Sequence, residues 1–327
     1  MKHVDLSAAP DPRVTLEHVN CPLGCDDGDV PVLTGRDRIS NLPGQFQVLR
    51  CGGCGLLRTS PRPSPQTIGF YYPEDYGPYV DTRISSAGRG CLPALRQRMV
   101  ALGQRLFDTK AHAIPAMPAG RMLEIGCASG SYLNKMASEG WEVEGIEFSA
   151  AAAAAARAQG FAVHVGPVET ADRPNGGYDL VVGWMVLEHL HDPVGALRNL
   201  ARWTRPGGML AISVPNTGAA EFRLFGSRWY ALQLPNHLFH FDRRTLTVLL
   251  EAGGWEMVRV QHQRTLANAL GSLGYVAQDR GYKRLGQWLI DFAERGGRFG
   301  ALAQFPPALV LAALGQTGRM TVWAQRR

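Results

Sequence analysis

Four cysteines in the first part of the chain have the residue type and the spacing of a metal site. Cys21 and Cys25 form one pair, Cys51 and Cys54 form a second, and the other two of the six cysteines stand apart. Four thiolates on two turns can close a tetrahedral cage around Zn²⁺ and leave no position for water. We predict a structural zinc site, because the surrounding turn-rich sequence has too few apolar residues to build a core without it. Reduced thiols without a metal are the alternative interpretation.

A second group of residues indicates a nucleoside-containing ligand. The string LEIGCASG places Gly126 and Gly130 where a predicted strand gives way to a helix, so a ligand can approach the backbone closely. Glu124 in the same string is a poor neighbour for a pyrophosphate but suits an ammonium group. Glu147 follows Gly126 by about 20 residues, the separation at which an acid accepts the hydroxyls of a ribose. Ala128 occupies the second glycine position of the dinucleotide pattern, which makes a nicotinamide cofactor the weaker interpretation.

Three histidines are candidates for a base that removes a proton from an acceptor hydroxyl, because the pKa of imidazole lies near neutrality. His237 and His240 lie in a connection at residues 217–242 that is long for an α/β protein, and we expect it to form a lid or a wall of the substrate site. His189 follows another predicted strand. The alternative role for His237 and His240 is to hold the connection in place.

The elements that must position these residues follow an α/β pattern. From residue 119 the sequence alternates strand, glycine turn and helix, as in RMLEIG followed by SYLNKMAS. This alternation predicts a parallel sheet with helices on both faces. Asp192 and Pro193 provide the N-cap and first turn of one helix, and Asp242 caps a later one. We interpret residues 265–318 as a helical insertion before a last strand, RMTVWAQ.

In this order the motifs resemble those of class I S-adenosylmethionine-dependent methyltransferases, over about residues 119–263 and the last strand. LEIGCASG is similar to the first motif of that family, GIEFS to its ribose-binding strand end, YDLVVGWMVLEHLHDP to its fourth strand and following loop, and RPGGMLAISVPN to its fifth strand. Ala128 departs from the family by replacing its usual middle glycine. The resemblance implies a Rossmann-like, doubly wound, mostly parallel sheet of seven strands and S-adenosylmethionine as cofactor.

The resemblance also assigns residues to the cofactor. Glu124, Gly126 and Gly130 would hold its methionine part and Glu147 its ribose. The loop from Trp184 to His189 would pass near the sulfonium. Further cofactor contacts are expected from Cys127, Ala128, Tyr132, Phe148, Trp184, Met185, Leu187 and Tyr72.

A metal in the catalytic site is not expected from the resemblance. Ubiquinone-pathway O-methyltransferases use a related E-x-x-E-H string in this loop to hold a metal. Here Met185 replaces the first acid and leaves Glu188 and His189 alone, which would make a poor cation site. We therefore predict no catalytic metal.

The cysteine pairs, the strings CGLLRTSPRPSP and YYPEDYGPY, and the core together resemble bacterial methyltransferases with an N-terminal zinc-binding module. Such proteins occur in polysaccharide and natural-product pathways. We divide the chain into a zinc-binding module at 1–65, a Tyr/Pro-rich connector with an amphipathic helix at 66–118, and a methyltransferase domain at 119–327. Some sugar C-methyltransferases carry a further C-terminal domain for which this chain has too few residues, which favours an O-methyl product.

The expected reaction is methyl transfer to a small-molecule or glycan acceptor, at a hydroxyl of a sugar or natural product. An rRNA methyltransferase with a zinc-binding recognition module is one alternative, and a cofactor-binding partner protein without catalysis is another. The net charge of +6 permits an anionic partner. However, residues 1–65 contain no basic stripe interleaved with aromatic residues, so we do not expect a nucleic-acid partner.

Composition and apolar runs bear on where the protein acts. The chain has 327 residues and 45% hydrophobic content, which excludes disordered, collagen-like and coiled-coil proteins. Its most apolar run, FPPALVLAAL, is shorter than the ~20 residues of a bilayer helix. With no signal-peptide pattern at the start, the cytoplasm is the expected location. Arginines near the apolar run suggest peripheral contact with a membrane as a hypothesis, and the sequence contains no indication of oligomeric state.

Overall fold

The computed structural model of the protein describes residues 9–73, 111–171, 177–295 and 297–327. The amphipathic helix expected in the connector lies outside the described residues, and so do Cys91 and most of the connector itself. The described residues contain thirteen strands, eight α-helices and several short 3₁₀ turns.

A sheet of seven strands forms the centre of the molecule, in the order β12-β13-β10-β9-β6-β7-β8. Strands β6 to β10 are parallel to one another, and β13 is antiparallel to both β10 and β12. The bounds are β6 (Arg121–Ile125), β7 (Glu142–Glu147), β8 (Ala162–Val165), β9 (Tyr178–Trp184), β10 (Thr204–Pro215), β12 (Trp255–His262) and β13 (Arg319–Arg326). The predicted seven-stranded, mostly parallel sheet is confirmed.

Helices connect the strands and cover both faces of the sheet. They are α1 (Ser131–Ser138), α2 (Ala150–Arg157), α3 (Pro193–Trp203), α4 (Ala220–Phe225), α5 (Arg243–Ala252), α6 (Ala267–Asp279), α7 (Lys283–Arg295) and α8 (Gly297–Ala313). The predicted caps are present: Gly195 N–H donates to the Asp192 carboxylate, and Asp242 forms a reciprocal capping box with Thr245.

Alternation along the strands divides the core in two. On one face Met122 and Leu180 pack with Leu133 of α1 and with the alanines of α2. On the other face Leu123 and Val181 pack with the leucines of α3 and α5. Because successive strand residues point to opposite faces, this requires helices on both sides of the sheet. The doubly wound architecture follows from these apolar runs.

The N-terminal region, which contains the four paired cysteines and is called the cysteine-bearing region below, shares a sheet with a later part of the chain. Strands β1 (Leu16–Glu17) and β5 (Arg62–Pro63) pair with each other. Strands β2 (Asp29–Arg36), β3 (Gln45–Cys51) and β4 (Leu57–Thr59) form a second sheet, whose fourth strand is β11 (Phe239–His240). Strand β11 comes from the long connection at 217–242, so that connection completes the sheet of the cysteine-bearing region.

The expected insertion at residues 265–318 is helical and consists of α6, α7 and α8. Tyr275 of α6 packs on Tyr230 of the long connection, with ring centroids 5.5 Å apart. The insertion therefore supports that connection from outside. No helix among the described residues is long and apolar enough to cross a membrane.

Candidate functional site

A cavity of about 510 Å³ opens where β6, β7 and β9 end. This is the edge of a parallel α/β sheet at which ligands bind. Most of the residues predicted for the site line it: Tyr72, Glu124, Gly126, Cys127, Ala128, Tyr132, Glu147, Phe148, Trp184, Met185, His189 and His237. Gly130, Leu187 and His240 do not line it.

The glycine turn after β6 has the backbone geometry that its sequence suggested. Gly126 has φ +68°, and a Cβ there would lie 2.5 Å from a methyl group of Val186. Gly130 has φ +83° and packs against Ala156 and Phe161, so its role is in joining α1 to α2 and not in lining the cavity. Ala128 also has a positive φ, 45°, in the region that favours glycine.

The Glu147 carboxylate is fixed at the end of β7. Ala128 N–H donates to its Oε2 at 2.8 Å, and Ser149 N–H donates to its Oε1 at 2.7 Å. Burial raises the pKa of Glu147, and these backbone donors counteract part of that rise. A carboxylate has about four acceptor positions, so two bonds to backbone leave capacity for the two hydroxyls of a ribose.

Three buried polar groups near the glycine turn have no hydrogen-bond partner among the described residues: Glu124 Oε2, the Tyr132 hydroxyl and Trp184 Nε1. Burial, with a smaller effect from the charge of Glu147, raises the pKa of Glu124 to about 8. The rings of Tyr132 and Trp184 lie 5.2 Å apart and contact His112. One unpaired carboxyl beside two unpaired donors matches the two charges of an amino acid, with its ammonium on Glu124 and its carboxylate on the donors.

Two of the predicted histidines meet at the other half of the cavity. The rings of His189 and His237 lie edge to face with centroids 4.6 Å apart. His237 Nδ1–H donates to the Ala231 carbonyl at 2.9 Å, which leaves Nε2 with a lone pair. Burial lowers the pKa of His189 to about 4 and that of His237 well below its ordinary value, so both rings are neutral at pH 7.

The structure does not bring His240 to the cavity. Pairing of β11 with β4 directs its ring to Thr59, whose Oγ1 lies 3.2 Å from His240 Nε2. The Thr59 hydroxyl donates to the His237 carbonyl at 2.8 Å, so His240 Nε2–H must be the donor to Thr59. The prediction that His240 is a base has no support in this geometry, whereas its alternative role in holding the connection does.

Glu188 lies behind the two cavity histidines and is fully buried. Neither carboxylate oxygen has a hydrogen-bond partner among the described residues, and Oε1 is 3.9 Å from His237 Nε2. Burial raises the pKa of Glu188 to about 8. Ligand atoms of Glu188, His189 and His237 lie within 4.8 Å of one another, close enough to hold a metal ion. The sequence prediction considered Glu188 and His189 alone, and the structure adds His237 to them.

The four predicted zinc ligands also come together. Their sulfur atoms lie within 4.8 Å of one another, with Cys21 and Cys54 at 3.5 Å, and none of the four is in a disulfide. Zn–S bonds of about 2.3 Å in a tetrahedron place sulfurs about 3.8 Å apart. Burial raises the pKa of Cys25 and of Cys54, whereas at Cys51 hydrogen bonding outweighs burial and the pKa falls to about 7. Four sulfurs at these separations fit Zn²⁺.

Several cavity residues escaped the sequence reasoning: His112, Glu169, His191, Gln233 and Arg319. His191 follows His189 by two residues in the same loop, and this closeness in the sequence is enough to make His191 a candidate for the site. Arg319 opens β13 after the helical insertion, and nothing in the local sequence connects it with a site formed by β6 and β7. No carboxylate among the described residues lies within 4.0 Å of its guanidinium, although its Nε–H donates to Asn268.

The chain is similar in sequence to curated O-methyltransferases. A ubiquinone biosynthesis O-methyltransferase of Alkalilimnicola ehrlichii is 32% identical over 137 residues, which cover 39% of this chain and 55% of that protein. One from Aromatoleum aromaticum is 29% identical over 168 residues, covering 44% and 72%. The chain thus spans about half the length of the first of these curated relatives.

Solved structures and a family model give two further similarities. A Thermotoga maritima protein described as an S-adenosylmethionine-dependent methyltransferase, possible histamine N-methyltransferase, has a TM-score of 0.45 and 16% identity over 71% of this chain and 96% of that one. Residues 94–260, half of the chain, match the model of the methyltransferase domain family. This chain therefore belongs to that family and contains a class I S-adenosylmethionine-dependent methyltransferase domain.

Proposed function

We propose that the protein transfers the methyl group of S-adenosylmethionine to a hydroxyl of a polar small molecule, such as a sugar, glycan or natural product. The observation that carries the proposal is a single cavity with two unlike halves. One half has the unpaired groups that suit an amino acid and the acid that suits a ribose. The other half has the neutral imidazoles of His189 and His237.

The first half would hold the cofactor through this chain's own residues. Glu124 would accept from its ammonium group, Tyr132 and Trp184 would donate to its carboxylate, and Glu147 would accept from its ribose hydroxyls. When bound, the cofactor supplies an electrophilic methyl on a sulfonium. Positioning of the acceptor oxygen in line with that methyl provides most of the rate, because displacement at the methyl group requires no oxyanion hole.

In the second half His237 would act as the base. Its Nδ1–H is engaged by Ala231, so Nε2 is the atom that accepts the hydroxyl proton. His189 packs edge to face against it and is held by Tyr72 and Asn236, whose oxygens lie 2.8 and 3.0 Å from His189 Nδ1. His189 is the second candidate for the base, and His240 has only a structural role in the proposal.

The wall around these histidines favours a polar acceptor. Gln233, His191 and the Tyr72 hydroxyl can donate to or accept from hydroxyl groups. Arg319 adds a half-buried cation to the same cavity. A polyhydroxylated molecule would satisfy such a surface, and an acidic substituent on it would complement Arg319.

We also propose that the four cysteines bind a structural zinc ion. The support is the donor set, because the sulfur atoms of all four cysteines lie within 4.8 Å of one another. Four sulfur ligands fill a tetrahedron, so the ion would take no part in methyl transfer. Reduced thiols of this kind persist in the cytoplasm, which is the location that we propose for the reaction.

Native mass spectrometry of the purified protein tests the cofactor and the metal together. We expect a mass increase of one zinc ion and, after addition of S-adenosylhomocysteine, one nucleoside. Glu147→Ala should lose the nucleoside and keep the zinc. Glu142→Ala is the matched control, since Glu142 lies on the same strand with an exposed side chain. Retention of the nucleoside by Glu147→Ala would contradict the assignment of the ribose site.

A methyl-transfer screen tests the acceptor. Labelled S-adenosylmethionine should transfer label to a member of a panel of nucleotide sugars, oligosaccharides and hydroxylated natural products. His237→Ala should lower the rate of that transfer by roughly 10²- to 10⁴-fold while binding the nucleoside normally. Binding of the cofactor without transfer to any acceptor would instead favour the non-catalytic partner protein. Transfer to ribosomal RNA would favour the rRNA alternative.

A further inference from the structure

The cysteine-bearing region is joined to the histidine-bearing connection through one strand. Cys51 ends β3, Cys54 follows in the turn, and β4 begins at Leu57. Strand β4 pairs with β3 on one side and with β11 on the other, with Leu57 opposite His240. The cysteine turn is thus the hairpin that sets the position of β4, and β4 in turn sets the position of β11.

Thr59, the last residue of β4, makes most of this connection. It is completely buried. Its N–H donates to the Leu238 carbonyl at 2.9 Å and its hydroxyl donates to the His237 carbonyl at 2.8 Å. The same hydroxyl accepts from His240 Nε2 at 3.2 Å. The side chain and the amide of Thr59 therefore hold three of the four residues at 237–240.

The other side of this segment rests on the loop that carries His189. Leu238 N–H donates to the Glu188 carbonyl at 2.7 Å. Asn236 donates to the Tyr71 carbonyl at 2.9 Å, and its own carbonyl lies 3.0 Å from His189 Nδ1. Both cavity histidines consequently take their positions from backbone that the N-terminal region holds.

The cofactor half is held differently. Glu147 is fixed by Ala128 and Ser149, which are local to β7 and the glycine turn. Glu124 lies within β6 in the central sheet. None of these contacts involves β3, β4 or the cysteine turn.

We propose that the cysteine-bearing region is a positioning device for the acceptor half of the site, and that Thr59 is the positioning residue through which it acts on His237. The proposal rests on the function proposed above for His237 and for the zinc ion. It gives the region a task in acceptor binding in place of recognition of a nucleic acid. Loss of the metal or of the Thr59 hydroxyl should loosen residues 237–240 while the cofactor half stays intact.

Hydrogen–deuterium exchange, read by mass spectrometry on the full-length zinc-loaded protein, tests this without an acceptor. The variants are Thr59→Val, which keeps the shape of the side chain but removes the hydroxyl, and Thr59→Ser, which restores it. Thr34→Val is the matched control, because Thr34 is an exposed threonine on β2 of the same sheet. A fourth sample is the wild type after zinc removal by a chelator.

We expect exchange of the amides at 237–241 to rise roughly 5- to 150-fold in Thr59→Val, the range that corresponds to a buried polar group losing its partner. Zinc removal should raise it as well, and Thr59→Ser and Thr34→Val should resemble the wild type. Peptides covering β6 and β7 should exchange as before. The dissociation constant for S-adenosylhomocysteine should change less than about threefold, a factor that corresponds to under 1 kcal/mol.

Unchanged exchange at 237–241 in both Thr59→Val and the zinc-free protein would overturn the proposal. An equal rise in β6 and β7 would overturn it too, because it would show general destabilisation. Neither result would contradict the proposal that the intact protein transfers a methyl group. The proposed function fails separately, if the intact protein binds no nucleoside or His237→Ala retains turnover.

Discussion

Binding of the cofactor should release a proton from Glu124, and the affinity should therefore rise with pH. In the free protein burial raises the pKa of Glu124 to about 8, so the group is mostly protonated at pH 6 to 7. An ammonium group against the carboxyl favours its ionised form and lowers that pKa. Because only the ionised form pairs with the ammonium, binding below pH 8 has to expel the proton.

The size of the effect follows from the pKa. For a group with a pKa of about 8, the ionised fraction rises from about 0.003 at pH 5.5 to about 0.24 at pH 7.5, a gain of about 75-fold or 2.6 kcal/mol. Affinity should thus increase about tenfold per pH unit at the acid end and level off near pH 8. The ligand's α-amino group stays charged over most of this range.

Isothermal titration calorimetry with S-adenosylhomocysteine measures this directly, since the product has the same amino-acid end. Titrations at pH 6.5 in buffers of different ionisation enthalpy should show release of about one proton. Glu124→Gln should bind more weakly and release none. Glu142→Gln, with an exposed side chain on the neighbouring strand, should match the wild type. An affinity that is flat between pH 5.5 and 7.5, or a slope that persists in Glu124→Gln, would refute the assignment of Glu124 to the ammonium group.

Three other sets of variants test the contacts described above. His237→Ala should lower turnover by roughly 10²- to 10⁴-fold, the usual contribution of a general base, with nucleoside affinity unchanged by calorimetry; a small effect would remove His237 from the mechanism. Gly126→Ala places a Cβ 2.5 Å from Val186 at a positive φ, so it should weaken nucleoside binding at least tenfold, whereas Ala128→Gly, also at a positive φ, should bind as tightly as the wild type. Cys51→Ser should lose the zinc measured by a colorimetric chelator and Cys127→Ser should keep it; equal zinc in both would exclude the four-cysteine site.

Most of the residues that the sequence assigns to the cofactor lie at one cavity, because they are close together in the chain and in the sheet. Glu124, the glycine turn and Glu147 lie in adjacent strands and turns, so strand periodicity and spacing suffice to bring them together. The same locality explains why the sheet and its caps were predicted. Only the structure could show that the Tyr132 hydroxyl and Trp184 Nε1 have no hydrogen-bond partner among the described residues.

Of the histidines that the sequence offers as the base, the structure brings only two to the cavity, because their positions depend on contacts between distant segments. His237 and His240 are three residues apart and look equivalent in the sequence, but the pairing of β11 with β4 directs the His240 ring to Thr59 and leaves His237 at the cavity. Nothing local to residues 217–242 indicates that Thr59 will be their neighbour. The contribution of Arg319, which lies beyond three helices of the insertion, was hidden for the same reason.

The low pKa of His237 bears on the kind of acceptor. An alcohol oxygen that accepts a methyl group becomes an oxonium, and its proton is then acidic enough for a weakly basic imidazole. A saturated carbon beside a carbonyl must instead lose its proton before it attacks, which requires a base with a pKa matched to a much weaker acid. Burial holds the pKa of His237 well below the ordinary value, and Glu188, 3.9 Å from Nε2, is itself mostly neutral at pH 7 because burial raises its pKa to about 8. Such a pair would suit late removal of an acidic proton, which supports the proposal that the acceptor atom is oxygen and not carbon.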